Sequence, residues 1–309
     1  MRRPGTAYIR LKLLVTRFFL QAIIFCVLLC LVLQLFSCKQ TNAPVALTIF
    51  EDKPAAFLLD TLISEASGIA DSKINPGYAW VEEDSGNPPQ LYLLSHTGKR
   101  LKAIFLNGAV NRDWEDIALA AGPDPSINYL YVADIGDNDA VHTSSFFYRL
   151  TEPLAAVDTV RLFDRIEFNY ADGPRDAEAF LVDGTSRDIY IISKRDAQSR
   201  VYKLAWPYST SSPNTAVFVE TLPYTGVVSA AISHNGKEII VKTYTALFYY
   251  TKNEGENIAQ ALQKADTVLG YELEPQGEAV GFAADDKGFF TLSEKGNSSG
   301  QALFFYKRN

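Results

Sequence analysis

The 309-residue chain has few of the residues that form covalent cross-links or soft-metal sites, with only three cysteines and three histidines. Cys26 and Cys30 lie in an N-terminal apolar run, so we expect no disulfide in the folded part. His96, His142 and His234 are far apart in sequence and give no combination of ligands typical of zinc. Disulfide scaffolds and zinc sites are therefore not predicted.

Positive charge is also scarce. The chain has 29 Lys and Arg residues against 36 Asp and Glu residues. Five of the basic residues and none of the acidic ones lie in the first 37 positions, so loss of that segment would change the net charge from −7 to −12. There is no basic stripe of the kind that binds a polyanion by displacing counterions. We therefore expect no nucleic-acid partner.

Motifs for covalent or nucleotide chemistry are absent from the sequence. It has no serine nucleophile elbow, P-loop, dinucleotide fingerprint or HExxH motif. Helical periodicity is nearly absent too, apart from a short helix expected near residues 257–263. Runs rich in Val, Ile, Tyr and Phe instead alternate with clusters of Gly, Pro, Asn and Asp. This pattern predicts an all-β chain.

The N-terminus is typical of an export signal, because five basic residues precede an apolar run from Phe18 to Phe36. The sequence LFSC, ending at Cys38, resembles a bacterial lipobox. We expect residues 1–37 to be a lipoprotein signal peptide, Cys38 to be lipidated, residues 38–44 to be a linker and residues 45–309 to be one domain. The protein would then be anchored by lipid in the bacterial cell envelope, at the outer membrane. An uncleaved membrane anchor is the alternative, since about 18 apolar residues can span a bilayer.

Five short segments recur along the chain: ASGIADS, WEDIALA, AEAFLVD, VSAAISH and GEAVGFA. We align these segments on Ser67, Glu115, Glu178, Ser229 and Glu278, and we call these five residues the anchors. The anchors are 48, 63, 51 and 49 residues apart, which suits one four-stranded sheet with its turns. The spacing predicts an all-β, five-bladed β-propeller in which each segment is the inner strand of a blade.

The last repeat is one strand shorter than the others, because the chain ends 31 residues after Glu278. Strand-like runs between Ala46 and Asp60 are well placed to supply the missing strand, which would remove an exposed sheet edge. We therefore expect a ring closed by an N-terminal strand. A six-bladed ring is the alternative if the long second repeat or the N-terminal runs form another sheet. An ordinary β-sandwich is a further alternative that would not require the anchor spacing.

The anchors should face the shared axis of the ring. Three carboxylates cannot stay ionised side by side there without a cation or shifted pKa values. Ca²⁺ takes about six to eight hard oxygen ligands, which serine and glutamate side chains provide. We predict a Ca²⁺ site formed by Ser67, Glu115, Glu178, Ser229 and Glu278. In the alternative reading, each glutamate accepts backbone N–H groups of the next blade without a metal.

The order and spacing of the anchors, with WEDIA followed by LYVADIG and with GEAVGF, resemble the calcium-activated apyrases. The resemblance implies a five-bladed propeller with axial Ca²⁺ and hydrolysis of nucleoside di- or triphosphates. At the nucleotide site the likeness fails, since the Asp-Asp-Arg and Thr-Gly of that family are replaced by the sequence EDSGN of residues 83–87, without arginine. WEDIA, ADIGDN and DAEAF also resemble secreted bacterial propellers that are similar to phytase-like esterase domains.

Turns after each second strand should meet, with the segments that lead into the inner strands, at one mouth of the ring. The ligand-binding candidates there are Asp84, Asn87, Arg112, Asp134, Asp137, Arg175, Lys194 and Arg195. The same mouth should hold Asp113, Asn138, Asp176, Lys242, Tyr244, Glu294 and Lys295.

Mixed charge at a mouth suits a polar ligand, although Asp and Asn beside Gly are also typical of solvated turns. We expect a polar ligand or protein to bind here, and the sequence leaves open whether the protein is an enzyme. The alternative function is a Ca²⁺-dependent phosphohydrolase, in which Arg112, Arg175, Lys194 or Arg195 would stabilise the developing charge.

Overall fold

The computed structural model describes residues 48–60, 63–264, 266–296 and 300–309. The predicted signal peptide, the linker and the lipidation site at Cys38 lie outside the described residues. Among the residues that are described, no helix has the length and apolar character needed to cross a membrane.

The described chain is almost entirely β-structure. In chain order its elements are β1 (Ala55–Leu58), β2 (Ala66–Asp71), β3 (Tyr78–Glu83), β4 (Gln90–Ser95), β5 (Arg100–Leu106), β6 (Trp114–Ala121), β7 (Asn128–Asp134), β8 (Ser145–Thr151), β9 (Thr159–Val160), β10 (Asp164–Tyr170), β11 (Ala177–Val182), β12 (Ile189–Ser193), β13 (Arg200–Leu204), β14 (Asn214–Thr221), β15 (Val227–Ile232), β16 (Glu238–Thr243), β17 (Leu247–Thr251), α1 (Ile258–Leu262), β18 (Thr267–Val268), β19 (Gly277–Phe282), β20 (Gly288–Ser293) and β21 (Ala302–Lys307). The all-β prediction is confirmed. The short helix is also where it was expected, and the Asn257 side chain caps its first turn.

The strands form five antiparallel groups. Group 1 is β2-β3-β4-β5, group 2 is β6-β7-β8-β10, group 3 is β11-β12-β13-β14, group 4 is β15-β16-β17-β18 and group 5 is β19-β20-β21-β1. In group 5, β1 pairs with β21, from Ala55 opposite Phe305 to Leu58 opposite Ala302. The predicted closure by an N-terminal strand is therefore confirmed. Groups 2 and 3 are joined into one eight-stranded sheet by a parallel pairing of β10 with β14.

The long second repeat adds to an existing group. Its extra residues include β9, which pairs in parallel with β5 and places Thr159 opposite Phe105 and Val160 opposite Leu106. In the part of the chain that the structure describes, the 63-residue step therefore extends the outer edge of group 1 and forms no separate sheet.

The first strands of the five groups form a closed cycle. β2 contacts β6, β6 contacts β11, β11 contacts β15, β15 contacts β19, and β19 contacts β2. Small residues allow this approach, since a Cβ on Gly68 would lie 2.5 Å from the Ile117 backbone nitrogen of the next strand. A cycle of inner strands with sheets extending outward is the arrangement of a propeller.

The hydrophobic core is divided among the interfaces between neighbouring groups. One cluster of buried residues lies between each successive pair of groups, including the pair formed by groups 5 and 1. Phe147 of group 2 illustrates the packing, because it is fully buried and its ring centroid lies 5.0 Å from that of Phe180 in group 3. The sheets therefore stack face to face around the cycle, and burial of apolar surface stabilises every interface.

Candidate functional site

The anchors lie near the start of the inner strands, where the pairing with the second strand is irregular. Ser67, Glu115, Glu178 and Glu278 are each the residue skipped by a β-bulge. In β15 the skipped residue is Val228, one position before Ser229. The structure therefore corrects the alignment of the fourth repeat by one residue, and the last two steps become 50 residues each. A bulge frees a residue from the ladder and redirects its side chain.

The three anchor glutamates come together at the start of the inner strands. Glu115, Glu178 and Glu278 are each only 5% exposed. Burial, followed by the charge of Glu178, raises the pKa of Glu115 well above its usual value, and Glu278 adds to the effect. Burial also raises the pKa of Glu178 to about 8, with Lys194 opposing the shift and Glu278 increasing it. The like charges predicted from the repeats therefore do interact.

A short chain of polar contacts links two of these glutamates. The Lys194 ammonium is paired with Glu178 and donates a hydrogen bond of 3.1 Å to the Tyr244 hydroxyl. Tyr244 in turn donates to Glu278 Oε1 at 2.5 Å. Lys194, a predicted ligand-binding residue, thus lies beside the anchors and offsets part of their negative charge.

Glu82 is a fourth acidic residue beside the three anchor glutamates, and it was not predicted from the sequence. It lies on β3, is fully buried, and neither of its carboxylate oxygens has a hydrogen-bond partner among the described residues. Its Oε1 lies 2.8 Å from where a Cβ on Gly68 would be, so the glycine opposite it provides the space. Burial raises the pKa of Glu82 well above its usual value, and the charges of Asp116, Asp84 and Glu278 raise it further. A buried carboxylate without a partner is costly unless it is protonated or neutralised by a positive charge.

A group of three carboxylates lies next to these residues. Asp84, Asp113 and Glu115 each place one oxygen within 4.8 Å of the others. Asp84 follows β3 and Asp113 precedes β6, and both are partly exposed. Burial raises the pKa of Asp84 to about 6, and it also raises the pKa of Asp113. A Cβ on Gly136 would collide with the carboxylates of Asp113 and Glu115, so a side chain there would displace at least one of them.

We use the term acidic centre for Glu82, Asp84, Asp113, Glu115, Glu178 and Glu278. All six lie at the end of the ring where the inner strands begin. They offer hard oxygen atoms, the donors that Ca²⁺ prefers. Glu294 extends the acidic surface outward, because burial and then the charge of Glu278 raise its pKa to about 8.

The two serine anchors have their hydroxyls engaged with protein atoms. Ser67 Oγ donates to the Glu115 carbonyl at 2.8 Å, joining groups 1 and 2. Ser229 Oγ donates to Asp116 Oδ1 at 3.3 Å and accepts from the Val280 amide at 3.2 Å. Asp116 is fully buried and also accepts from the Ile117 amide at 2.9 Å. These contacts tie the inner strands together.

Some of the predicted mouth residues are held by partners close to the acidic centre. Arg112 forms an ion pair of 3.5 Å with Asp134 and donates to the Ser144 carbonyl. Asp137 accepts hydrogen bonds from the amides that follow it in the same turn. The Asn87 side chain donates a hydrogen bond of 2.6 Å to Glu65 Oε2. Each of these side chains therefore has a structural partner.

Other predicted mouth residues differ from these in their position or in their exposure to solvent. Arg195 is half exposed and pairs with Asp176 at 2.6 Å, so it can meet a ligand from solvent. Arg175 contacts Asp172, in the loop between β10 and β11, and Asp196, in the turn after β12. Lys242 lies at the predicted end of the ring, opposite Ser229, but its side chain is fully buried in an ion pair with Glu274 and is not open to a ligand.

No protein-family model and no curated protein sequence matches this chain. Among solved structures, an auxiliary nutrient binding protein from Bacteroides thetaiotaomicron is 8% identical with a TM-score of 0.47, over 84% of this chain and 73% of that one. Luciferin-regenerating enzyme is 11% identical with a TM-score of 0.44, over 82% and 95%. The Dos1 propeller is 12% identical with a TM-score of 0.36, over 78% and 68%. The resemblance to calcium-activated apyrases stays a prediction.

Proposed function

We propose that this protein is a five-bladed β-propeller that holds Ca²⁺ at its acidic centre and binds a polar ligand or protein at the adjacent mouth. The blade count is supported by the five strand groups, the five interfacial core clusters and the closed cycle of inner strands. Lipid attachment at Cys38 in the bacterial cell envelope, at the outer membrane, is part of the same proposal and is supported by the sequence alone.

The unpartnered carboxylate of Glu82 is the observation that carries the cation proposal. A fully buried carboxylate without hydrogen bonds normally pairs with a positive charge or becomes protonated. Lys194 contacts Glu178 and leaves the other members of the acidic centre without a basic partner at hydrogen-bond distance among the described residues. A divalent cation would neutralise this excess of negative charge.

The donor chemistry fits calcium. Asp84, Asp113 and Glu115 are close enough to share one ion, and Glu82, Glu178 and Glu278 add negative charge around it. All six side chains offer carboxylate oxygens. Calcium suits such a set better than zinc or copper, which prefer imidazole or thiolate ligands. The serine hydroxyls are used between strands, so the carboxylates form the proposed site.

A test is calcium binding by the purified full chain after treatment with chelator. We expect saturable binding by calorimetry and a higher melting temperature in calcium. Asp113→Asn should weaken binding by about tenfold or more, whereas Glu254→Gln in an exposed turn should bind as the wild type does. A wild-type protein with no calorimetric signal and no thermal response to calcium would contradict the proposal.

A Ca²⁺-dependent phosphohydrolase is the second candidate function. It is favoured by the partial exposure of Asp84 and Asp113, which would let a cation there meet a phosphate from solvent. When bound, the cation would neutralise charge on a phosphate oxygen, and the half-exposed Arg195 would add a second positive charge. Calcium-dependent phosphate release from a nucleoside diphosphate, lost in Asp113→Asn, would support this function. Release that does not differ between the wild type and the variant would exclude it.

A further inference from the structure

A cleft lies between groups 1 and 5, at the opposite end of the inner strands from the acidic centre. Its lining includes Asp71 at the end of β2 and Ala284 just after β19. Its volume of about 680 Å³ falls in the range of small-molecule sites, which is roughly 300–1,000 Å³. A bare inorganic ion would leave most of this space to water, since one water molecule takes up about 30 Å³ in the liquid. The cleft therefore has room for an organic molecule.

The charged residues that line the cleft leave an excess of positive charge. Lys73, Lys287 and Lys307 all border it and are exposed. Lys287 is paired with Asp285 at 3.0 Å, whereas Lys73 and Lys307 form no ion pair with the described residues. This excess occurs in a chain whose net charge is −7, so it favours an anionic ligand at this position.

One wall of the cleft is a fixed row of three rings. Asp71 is buried and contacts His96 Nε2 at 2.6 Å, and it also accepts a hydrogen bond of 2.7 Å from the Ala284 amide. It thereby joins the two groups and orients the imidazole. The His96 ring lies 4.8 Å from the Phe290 ring, and Phe290 lies 4.8 Å from Phe305. The partly exposed rings of His96 and Phe305 form the accessible part of this wall, and Phe290 lies almost fully buried behind them.

We propose that this cleft binds a small organic anion that carries a flat aromatic ring. The ring would pack against Phe305 and the His96 imidazole, and the carboxylate or phosphate group would interact with Lys73 and Lys307. Aromatic stacking and charge pairing would act together, so neither a neutral aromatic molecule nor a bare anion should bind as well. The site is separate from the acidic centre and does not depend on calcium.

The test compares 2-naphthoate with its neutral isostere 2-naphthamide, using calorimetry on the full chain. We expect saturable binding of 2-naphthoate and at least about tenfold weaker binding of the amide. Lys73→Gln/Lys307→Gln should lower the affinity for 2-naphthoate by about tenfold, and added salt should weaken the wild-type interaction. Lys203→Gln/Lys264→Gln removes the same charge elsewhere and should bind as the wild type does.

A second variant tests the aromatic wall. Phe305→Leu keeps an apolar side chain but removes one ring, and it should weaken binding of 2-naphthoate by roughly three- to tenfold. Benzenephosphonate competing with 2-naphthoate would extend the ligand class to phosphate-like anions, and inorganic phosphate should compete poorly. The proposal is overturned if wild type shows no saturable binding at about 1 mM ligand. Equal binding of acid and amide, or unchanged binding by the cleft variants, would overturn it as well.

Discussion

Glu82 Oε1 lies 2.8 Å from the position that a Cβ on Gly68 would occupy. The glycine of β2 thus makes room for a carboxylate from β3 that has no hydrogen-bond partner among the described residues. Together with the Ile117 backbone nitrogen, which would lie 2.5 Å from the same Cβ, this relationship explains why the inner strand has a glycine at position 68. It also makes Glu82 the most costly member of the acidic centre when no cation neutralises it.

Glu82→Gln should therefore stabilise the protein more in chelator than in calcium. In chelator at pH 8 we expect the variant to be more stable than wild type by about 1–3 kcal/mol, because a buried unpaired charge is removed. In excess calcium we expect the gain to shrink, because the wild type recovers its neutralising ion. Thermal and urea unfolding in both buffers measure the difference. A variant that is less stable than wild type in chelator would contradict this explanation.

The acidic centre should also make the stability of the metal-free protein depend on pH. The folded state raises the pKa of Glu178 from 4.5 to about 8 and that of Asp84 from 3.8 to about 6. Between these limits the folded state holds more protons than the unfolded chain, so the free energy of unfolding should fall as pH rises. We expect the loss mainly between about pH 4.5 and 8 in chelator, and calcium should offset it most at the upper end. Urea titrations at several pH values in each buffer test this, and rising stability in chelator across the interval would oppose it.

Gly136 should be needed for the geometry of the three-carboxylate group. A Cβ there would collide with Asp113 and Glu115, so Gly136→Ala must displace one of these carboxylates. We expect calcium affinity to fall by about tenfold or more, with a smaller loss of stability in chelator. Gly184→Ala is the matched control, because a Cβ at Gly184 would meet no atom within 4 Å. Calorimetry measures the calcium affinity of both variants. Equal affinities would show that the ion does not bind at the three-carboxylate group.

Much of the fold could be predicted from sequence because it depends on local patterns. Alternating strand-like runs and turn residues predicted the order of the strands, and the short last repeat predicted that β1 would pair with β21. These features need only the order of residues along the chain. The length of the second repeat was less informative, since β9 pairs with β5 of the preceding group.

The details of the site depend on pairing between strands, which the repeats did not specify. In β15 the bulge falls at Val228, and the two successive valines before Ser229 fit either register. Glu82 enters the acidic centre because β3 places it opposite Gly68, a relationship between strands. An acidic residue opposite a glycine of an inner strand is the signal that would have found it.

The environment of Lys242 also depends on residues that are distant in sequence, and it leads to a further prediction. Its ammonium group lies 2.7 Å from Glu274 Oε2, and neither side chain is exposed. Tyr271 also contacts both residues, and Thr291 donates to the other oxygen of Glu274. Because Glu274 is 32 residues downstream, the turn pattern around Lys242 gave no sign of the pair.

Lys242→Met should destabilise the protein by about 3–5 kcal/mol, because it leaves the Glu274 carboxylate buried without its partner. Lys242→Met/Glu274→Gln should recover a large part of that loss, since the double variant contains no unpaired charge. The exposed pair of Lys287 and Asp285 provides the comparison, and Lys287→Met should change stability by about 0.5 kcal/mol or less. Urea unfolding of the four proteins measures these differences. A double variant as unstable as Lys242→Met would show that lost packing, and not the unpaired charge, accounts for the effect.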